Sequence, residues 1–121
     1  MGERLCEAVR LYRNEEAIGL ILNGANVNHQ SECLGVTPMH LAIGVKNIPM
    51  MEYLVYTHKV DYRIEDVYSR TPAIMAEMSF QDDKSGIVNF LKELEAVQRF
   101  RYGTGPLPPD GDDTFKPGPQ L

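Results

Sequence analysis

The six residues Thr37-Pro38-Met39-His40-Leu41-Ala42, TPMHLA, return in altered form as TPAIMA at residues 71–76. Thr accepts a hydrogen bond well at a helix N-cap, and Pro is tolerated next because its missing N–H would have no partner there. Each copy therefore predicts the start of a helix. Two copies 34 residues apart also predict a structural repeat.

A second, equally short helix is predicted after TPMHLA. Gly44 is expected to end the first helix, and Asn47 to cap a second one that carries Met50, Met51 and Leu54 and runs to about residues 57–58. Helices of this length are marginal in water when isolated. They must bury their apolar faces on neighbouring pairs, which predicts a solenoid of helix pairs.

Apolar spacing predicts similar pairs on both sides. The first pair begins with a helix marked by four residues: Leu5, Ala8, Val9 and Tyr12. Asn14 is expected to cap its second helix, and Gly24 to end that helix in the left-handed conformation. In the last pair, Asp82, Asp83 or Ser85 is expected to begin a longer helix that reaches about Arg101. Its predicted apolar face consists of Ile87, Phe90, Leu91, Leu94, Val97 and Phe100.

The chain resembles the ankyrin repeat family over about residues 3–102. That family combines Thr-Pro-Leu-His-x-Ala with Gly-Ala-Asp-Val-Asn, which TPMHLA and GANVN (24–28) match with one substitution each. Gly35 also matches the family, whereas Ser69 and Ile74 replace the family's Gly and His. The resemblance implies an all-α ankyrin-repeat domain over residues 1–102, with repeats at about 3–30, 31–65 and 66–102. A Pro/Gly-rich tail follows at 103–121.

Composition limits the kind of partner and compartment. The net charge of −5 and the pI of about 5.1 disfavour nucleic acid, which is bound largely through cations, and permit a basic protein partner. No apolar run is long enough for a membrane span, and the charged N-terminal residues do not resemble a signal peptide. We therefore expect a cytoplasmic protein whose Cys6 and Cys33 are free thiols.

The sequence does not indicate catalysis. His40 belongs to the repeat signature, so we expect it to bind backbone atoms and tie neighbouring helix pairs together. Cysteine and histidine spacings typical of metal sites are missing, as is a phosphate-binding glycine loop. We expect no enzyme, no catalytic residue, no metal, no cofactor and no small-molecule substrate.

The turn tips and the outer face of the first helices are the predicted partner surface, because ankyrin repeats usually meet partners there. Polar residues would be the ordinary choice at such positions, yet apolar and interface-prone side chains occur. The predicted partner-binding residues are Leu34, Val36, Val45, Val67, Tyr68, Arg70 and Met78.

Two functions are compatible with this surface. One is an inhibitor or immunity-type protein that neutralises a toxin or enzyme. The other is an adaptor or host-directed effector that uses the Pro-rich tail as a second binding site. The tail composition predicts an extended segment whose large apolar residues are Leu107, Phe115 and Leu121. The sequence leaves open whether it docks on its own chain or on a neighbour.

Overall fold

A computed structural model describes residues 1–81 and 86–108, and these residues form helices and loops without strands. The helices are α1 (Gly2–Arg10), α2 (Asn14–Leu22), α3 (Pro38–Gly44), α4 (Ile48–Tyr56), α5 (Pro72–Ser79) and α6 (Ile87–Tyr102). They form three pairs, in which α1, α3 and α5 pack side by side and each is joined to the helix that follows it. The predicted all-α solenoid of helix pairs is confirmed.

The predicted helix starts at the two Thr-Pro sites are present. The hydroxyl of Thr37 accepts a hydrogen bond from the backbone N–H of His40 at 3.3 Å, and Thr71 does the same for Ile74 at 3.3 Å. Asn47 caps α4 through its side-chain oxygen, which accepts from the N–H of Met50 at 3.4 Å. Each cap pairs an N–H that the helix itself leaves without a partner, and such a cap typically stabilises a protein by about 1 kcal/mol.

The helix ends depend on residues in the left-handed conformation. Gly24 has φ of +96° and follows the C-cap of α2, as expected. At the corresponding ends of α1, α3 and α4, the left-handed residues are Tyr12, Lys46 and His58, with φ between 57° and 61°. The prediction that Tyr12 lies on the face of α1 is therefore wrong. Side chains in this conformation carry a steric cost that Gly avoids.

Asn14 has a different role from the predicted one. Arg13 is the N-cap of α2, and Asn14 is already inside the helix. The Asn14 amide exchanges two hydrogen bonds with the Asn47 amide, at 2.8 and 3.1 Å, and Asn47 also donates to the carbonyl of Val9 at 3.1 Å. Asn47 is fully buried, so these bonds satisfy polar groups whose burial without a partner would be destabilising. They also join the start of α2 to the start of α4.

One apolar core runs through the three pairs. Its fully buried large apolar residues come from four helices, α1, α3, α4 and α6, and so neighbouring pairs share them. They are Leu5, Val9, Met39, Ile43, Met50, Leu54 and Leu91, the last being 2% exposed.

Amide side chains also join neighbouring pairs through the connections that carry the turn tips, close to the ends of α2 and α4. Asn28 donates to the carbonyl of Lys59 at 2.9 Å and accepts from the N–H of Asp61 at 2.7 Å. Gln98 of α6 repeats this arrangement one pair later, between the carbonyl of Val60 at 2.9 Å and the N–H of Tyr62 at 2.7 Å.

The predicted apolar face of α6 is partly wrong. Leu91 and Leu94 are buried, but Phe100 is 91% exposed, and Gln98 is completely buried instead. With 3.6 residues per turn, Gln98 lies on the same side as Leu91, and Phe100 lies on the opposite side. The residues predicted to begin this helix, Asp82, Asp83 and Ser85, are outside the described residues.

The start of the tail folds back on its own chain. Gly103 accepts a hydrogen bond from Arg63 at 2.8 Å, while the same guanidinium holds Asp61 with two bonds of 2.9 Å. Residues 106–108, without helix or strand, then form one wall of a cleft whose other wall includes Ala25, Val27 and Lys59. Phe115 and Leu121 are outside the described residues.

Candidate partner-binding surface

The turn tips of the second and third helix pairs are joined by hydrogen bonds. The N–H of Val67 donates to the carbonyl of Leu34 at 2.9 Å. The amide of Gln30 donates to the carbonyls of Gly35 and Glu65, both at 3.0 Å. These bonds fix the two tips relative to each other, so their side chains are presented on a preorganised backbone.

The outer side of these tips is apolar and open to solvent. Leu34 is 43% exposed, Val67 is 60% exposed and Tyr68 is 65% exposed. Exposing large apolar side chains to water is unfavourable, and the free energy falls when a partner covers them. The structure thus brings three of the predicted site residues to one edge of the molecule. From here on we call Leu34, Val67 and Tyr68 the tip surface.

Arg70 has a structural task in the third tip. Its guanidinium binds the buried carboxylate of Asp66, with Nε at 2.8 Å and Nη2 at 2.7 Å from Oδ2. The other oxygen accepts from the N–H groups of Tyr68 and Arg70 at 2.9 and 3.0 Å. Burial alone raises the pKa of Asp66, but these bonds outweigh it and hold the pKa below its ordinary value. Arg70 also lies 5.0 Å from the centre of the Tyr68 ring, so it orients that ring.

Val36 is not part of the exposed surface. It is only 5% exposed and points into the molecule, although it belongs to the same turn as Leu34. Its N-terminal neighbour Gly35 has φ of +66°, which turns the chain inward before α3 begins. We therefore exclude Val36 from the surface that could meet a partner.

Two predicted residues lie on or just after the first helices, and the prediction missed two exposed side chains there: Tyr12, in the turn after α1, and Ile74 of α5. Met78 is 55% exposed, and Val45 is half-buried, its carbonyl accepting a hydrogen bond from the Tyr12 hydroxyl. Tyr12, 54% exposed, and Ile74, 40% exposed, were not predicted. Ile74 occupies the position of His40 in the previous pair. That substitution of His by an apolar residue was visible in the sequence and could have indicated an outward-facing side chain.

His40 is a buried tie between helix pairs, as predicted. Its Nδ1 accepts from the N–H of Thr37 at 3.2 Å, so Nε2 carries the proton and donates to the carbonyl of Arg70 at 2.6 Å. Burial lowers the pKa of His40, more than the bond to Arg70 raises it. Both nitrogens are used by backbone atoms, which leaves no free nitrogen for acid–base chemistry.

Cys6 also differs from a reactive cysteine. Cys6 is buried, and burial, followed by the nearby charge of Glu3, raises the pKa of its thiol to about 11. Cys33 is exposed. Within residues 1–81 and 86–108, no three His, Cys, Asp or Glu side chains are grouped closely enough to hold a metal ion.

None of the helices in residues 1–81 and 86–108 has both the length and the apolar character that a membrane span needs.

Comparison with known proteins identifies the repeat. Residues 20–76 match the family model described as ankyrin repeats (many copies). The chain is also similar to I-Kappa-B like protein H1 of Microplitis demolitor bracovirus (isolate Webb), with 32% identity over 53 residues. That match covers 44% of this chain and spans 28% of the length of the relative. Residues 20–76 of this chain are therefore ankyrin repeats.

Proposed function

We propose that the chain is a non-catalytic protein-binding module whose partner covers the tip surface and the adjacent first-helix residues Ile74 and Met78. The single observation that carries this proposal is the hydrogen-bonded pair of tips, which holds Leu34, Val67 and Tyr68 exposed on a fixed backbone. We also propose that the repeats occupy about residues 3–30, 31–65 and 66–102.

The chemistry of the surface indicates the kind of contact. Tyr and Arg are enriched among residues that dominate binding energy. Here the guanidinium of Arg70 lies against the ring of Tyr68, 5.0 Å from its centre. Glu32 and Glu65 are exposed near the tips, and the whole chain carries a net charge of −5. A basic partner with an apolar centre would match both the apolar tips and this acidic surrounding.

Tyr68→Ala tests the proposal with a close control. Tyr56 is also exposed, at 71%, but lies at the end of α4 and not at a tip. Proteins captured from a native extract by the wild-type chain are identified by mass spectrometry, and the purified partner is then titrated by calorimetry. We expect Tyr68→Ala to weaken this binding at least fivefold, which corresponds to about 1 kcal/mol, while Tyr56→Ala binds as the wild type does.

Equal affinity of wild type and Tyr68→Ala would contradict the proposed surface. A melting temperature measured for each variant separates lost binding from lost folding. Because the Tyr68 side chain is exposed, we expect the Tyr68→Ala chain to fold normally.

We further propose an inhibitor or immunity-type role in the cytoplasm, where Cys6 and Cys33 remain free thiols. The similarity to a protein named I-Kappa-B like is compatible with an inhibitor. The adaptor alternative assigned a second site to the tail, but its residues 106–108 line a cleft with loops of the same chain. If the captured partner is an enzyme, the inhibitor role predicts loss of its activity at one equivalent of this chain.

A further inference from the structure

An apolar cleft of about 240 Å³ lies on the second-helix side of the molecule, between α4 and α6. Met51 and Leu91, which are 6% and 2% exposed, form its floor together with the fully buried Met39. Its walls are Ile48, Val55 and Ile87, which are half-buried. The rim carries Glu52 and Phe90, both exposed.

The cleft follows from a difference between the helix pairs. Asn14 and Asn47 bond the starts of α2 and α4 to each other. The residue at the N-cap of α6 is Gly86, which has no side chain with which to make the same tie. On α4, the lining residues are spaced three, four and seven apart, and on α6 they are spaced three and four apart. Each helix therefore turns one face toward the opening.

The size of the cleft favours a protein side chain over a free small molecule. Ligand pockets for drug-sized compounds usually measure about 300 to 1,000 Å³. A volume of 240 Å³ is smaller, but it suits a single bulky apolar anchor of the kind that dominates protein interfaces. Two helix faces that border a groove are also the arrangement that receives an amphipathic helix.

Charge selects among such helices. Among the described residues that line the cleft, Glu52 is the one ionisable residue, and it forms no ion pair within that part of the chain. A partner with Lys or Arg beside its apolar anchor would face this carboxylate, whereas an acidic partner would be repelled by it.

We propose that the α4–α6 cleft binds an amphipathic helix of another protein, with a bulky apolar residue in the cleft and a basic residue against Glu52. This site is separate from the tip surface, so a chain occupied at its tips could bind this helix as well.

A displayed library of helix-forming peptides, selected on the full-length chain and counter-selected on Val55→Asp, tests the proposal. We expect enriched peptides to share one bulky apolar position and a Lys or Arg three or four residues away. A synthetic peptide of that sequence should bind Val55→Asp at least tenfold more weakly than wild type. Phe90→Ala should also weaken binding, while Phe100→Ala, changed on the exposed side of α6, should not.

A charge exchange gives a second readout that does not depend on Val55. Glu52→Lys should weaken the peptide at least fivefold, and replacing the peptide's basic residue by Glu should restore binding. Because Glu52 is exposed, this variant is expected to fold even if Val55→Asp does not.

Three results would overturn the proposal: no enriched sequence, binding that ignores the charge of residue 52, or self-association of the wild-type chain that Val55→Asp abolishes in ultracentrifugation. The last result would assign the cleft to a second copy of this chain.

Discussion

At the scale of single residues, the two tips place different residue types in the same left-handed backbone conformation. Gly35 and Ser69 occupy corresponding turn positions with φ of +66° and +60°, and only Gly adopts this conformation without steric cost. Because Ser69 is exposed, we expect Ser69→Gly to raise the free energy of unfolding by about 0.5 to 1 kcal/mol, measured by urea denaturation. Gly35→Ser is the matched reverse change and should lower it by about 1 kcal/mol. A lower urea midpoint for Ser69→Gly would show that the left-handed turn is not strained.

His40 makes stability depend on pH. Burial lowers the pKa of His40 in the folded chain below the value of about 6.5 expected when unfolded. Above pH 6.5 both states are neutral at this residue, so it adds no pH dependence. Below pH 6.5 the unfolded chain takes up a proton that the folded chain does not, and stability falls by up to about 1.4 kcal/mol per pH unit.

The comparison that isolates this effect is His40→Ala. This variant should be less stable at pH 7.5, because the buried N–H of Thr37 loses its partner, at about 1 to 3 kcal/mol, and the carbonyl of Arg70 keeps only its bond from the N–H of Asp66 at 3.1 Å. Its unfolding free energy should then decrease less steeply than that of wild type between pH 6.5 and 5. Identical slopes for the two chains would rule out His40 as the source.

At the scale of helices, α6 contains a buried polar residue that its spacing of apolar residues did not predict. Gln98 is buried and satisfies the carbonyl of Val60 and the N–H of Tyr62, so we expect Gln98→Ala to lower stability by about 2 to 4 kcal/mol. Phe100→Ala removes a side chain that is 91% exposed and should change stability by less than about 0.5 kcal/mol. Thermal denaturation of both variants checks the order. A larger loss for Phe100→Ala would mean that α6 is rotated from the arrangement described here.

The helix starts could be predicted from sequence because they depend on local chemistry. Thr37, Asn47 and Thr71 each cap the helix that follows, and the partner is three residues away. The type of repeat and the role of His40, which bonds backbone atoms and ties neighbouring helix pairs, were predicted from TPMHLA. Asn14, Gln98 and Val36 were misjudged or missed because their roles depend on residues of other helix pairs or on the inward turn at Gly35. Of the predicted surface, Leu34, Val67, Tyr68 and Met78 are exposed, whereas Arg70 is committed to Asp66.

At the scale of the whole molecule, the shared core predicts cooperative unfolding. Leu5 of α1 and Leu54 of α4 are fully buried in the same apolar cluster, and no helix pair encloses its own core. Replacing either by Ala should lower the free energy of unfolding by about 2 to 5 kcal/mol, in one transition with an unchanged urea dependence. Leu22→Ala is the control, because that side chain is 76% exposed and contributes little to the core.

Hydrogen exchange shows whether the pairs open together. In a solenoid this short, losing the first pair exposes the face of the next, so the loss spreads along the stack. We therefore expect Leu5→Ala to accelerate exchange of the α5 amides as well as those of α1, although α5 belongs to the third pair. Unchanged protection in α5 would mean that the first pair opens by itself. In that case the tip surface, which lies on the second and third pairs, would stay intact when the first pair unfolds, and binding would survive Leu5→Ala.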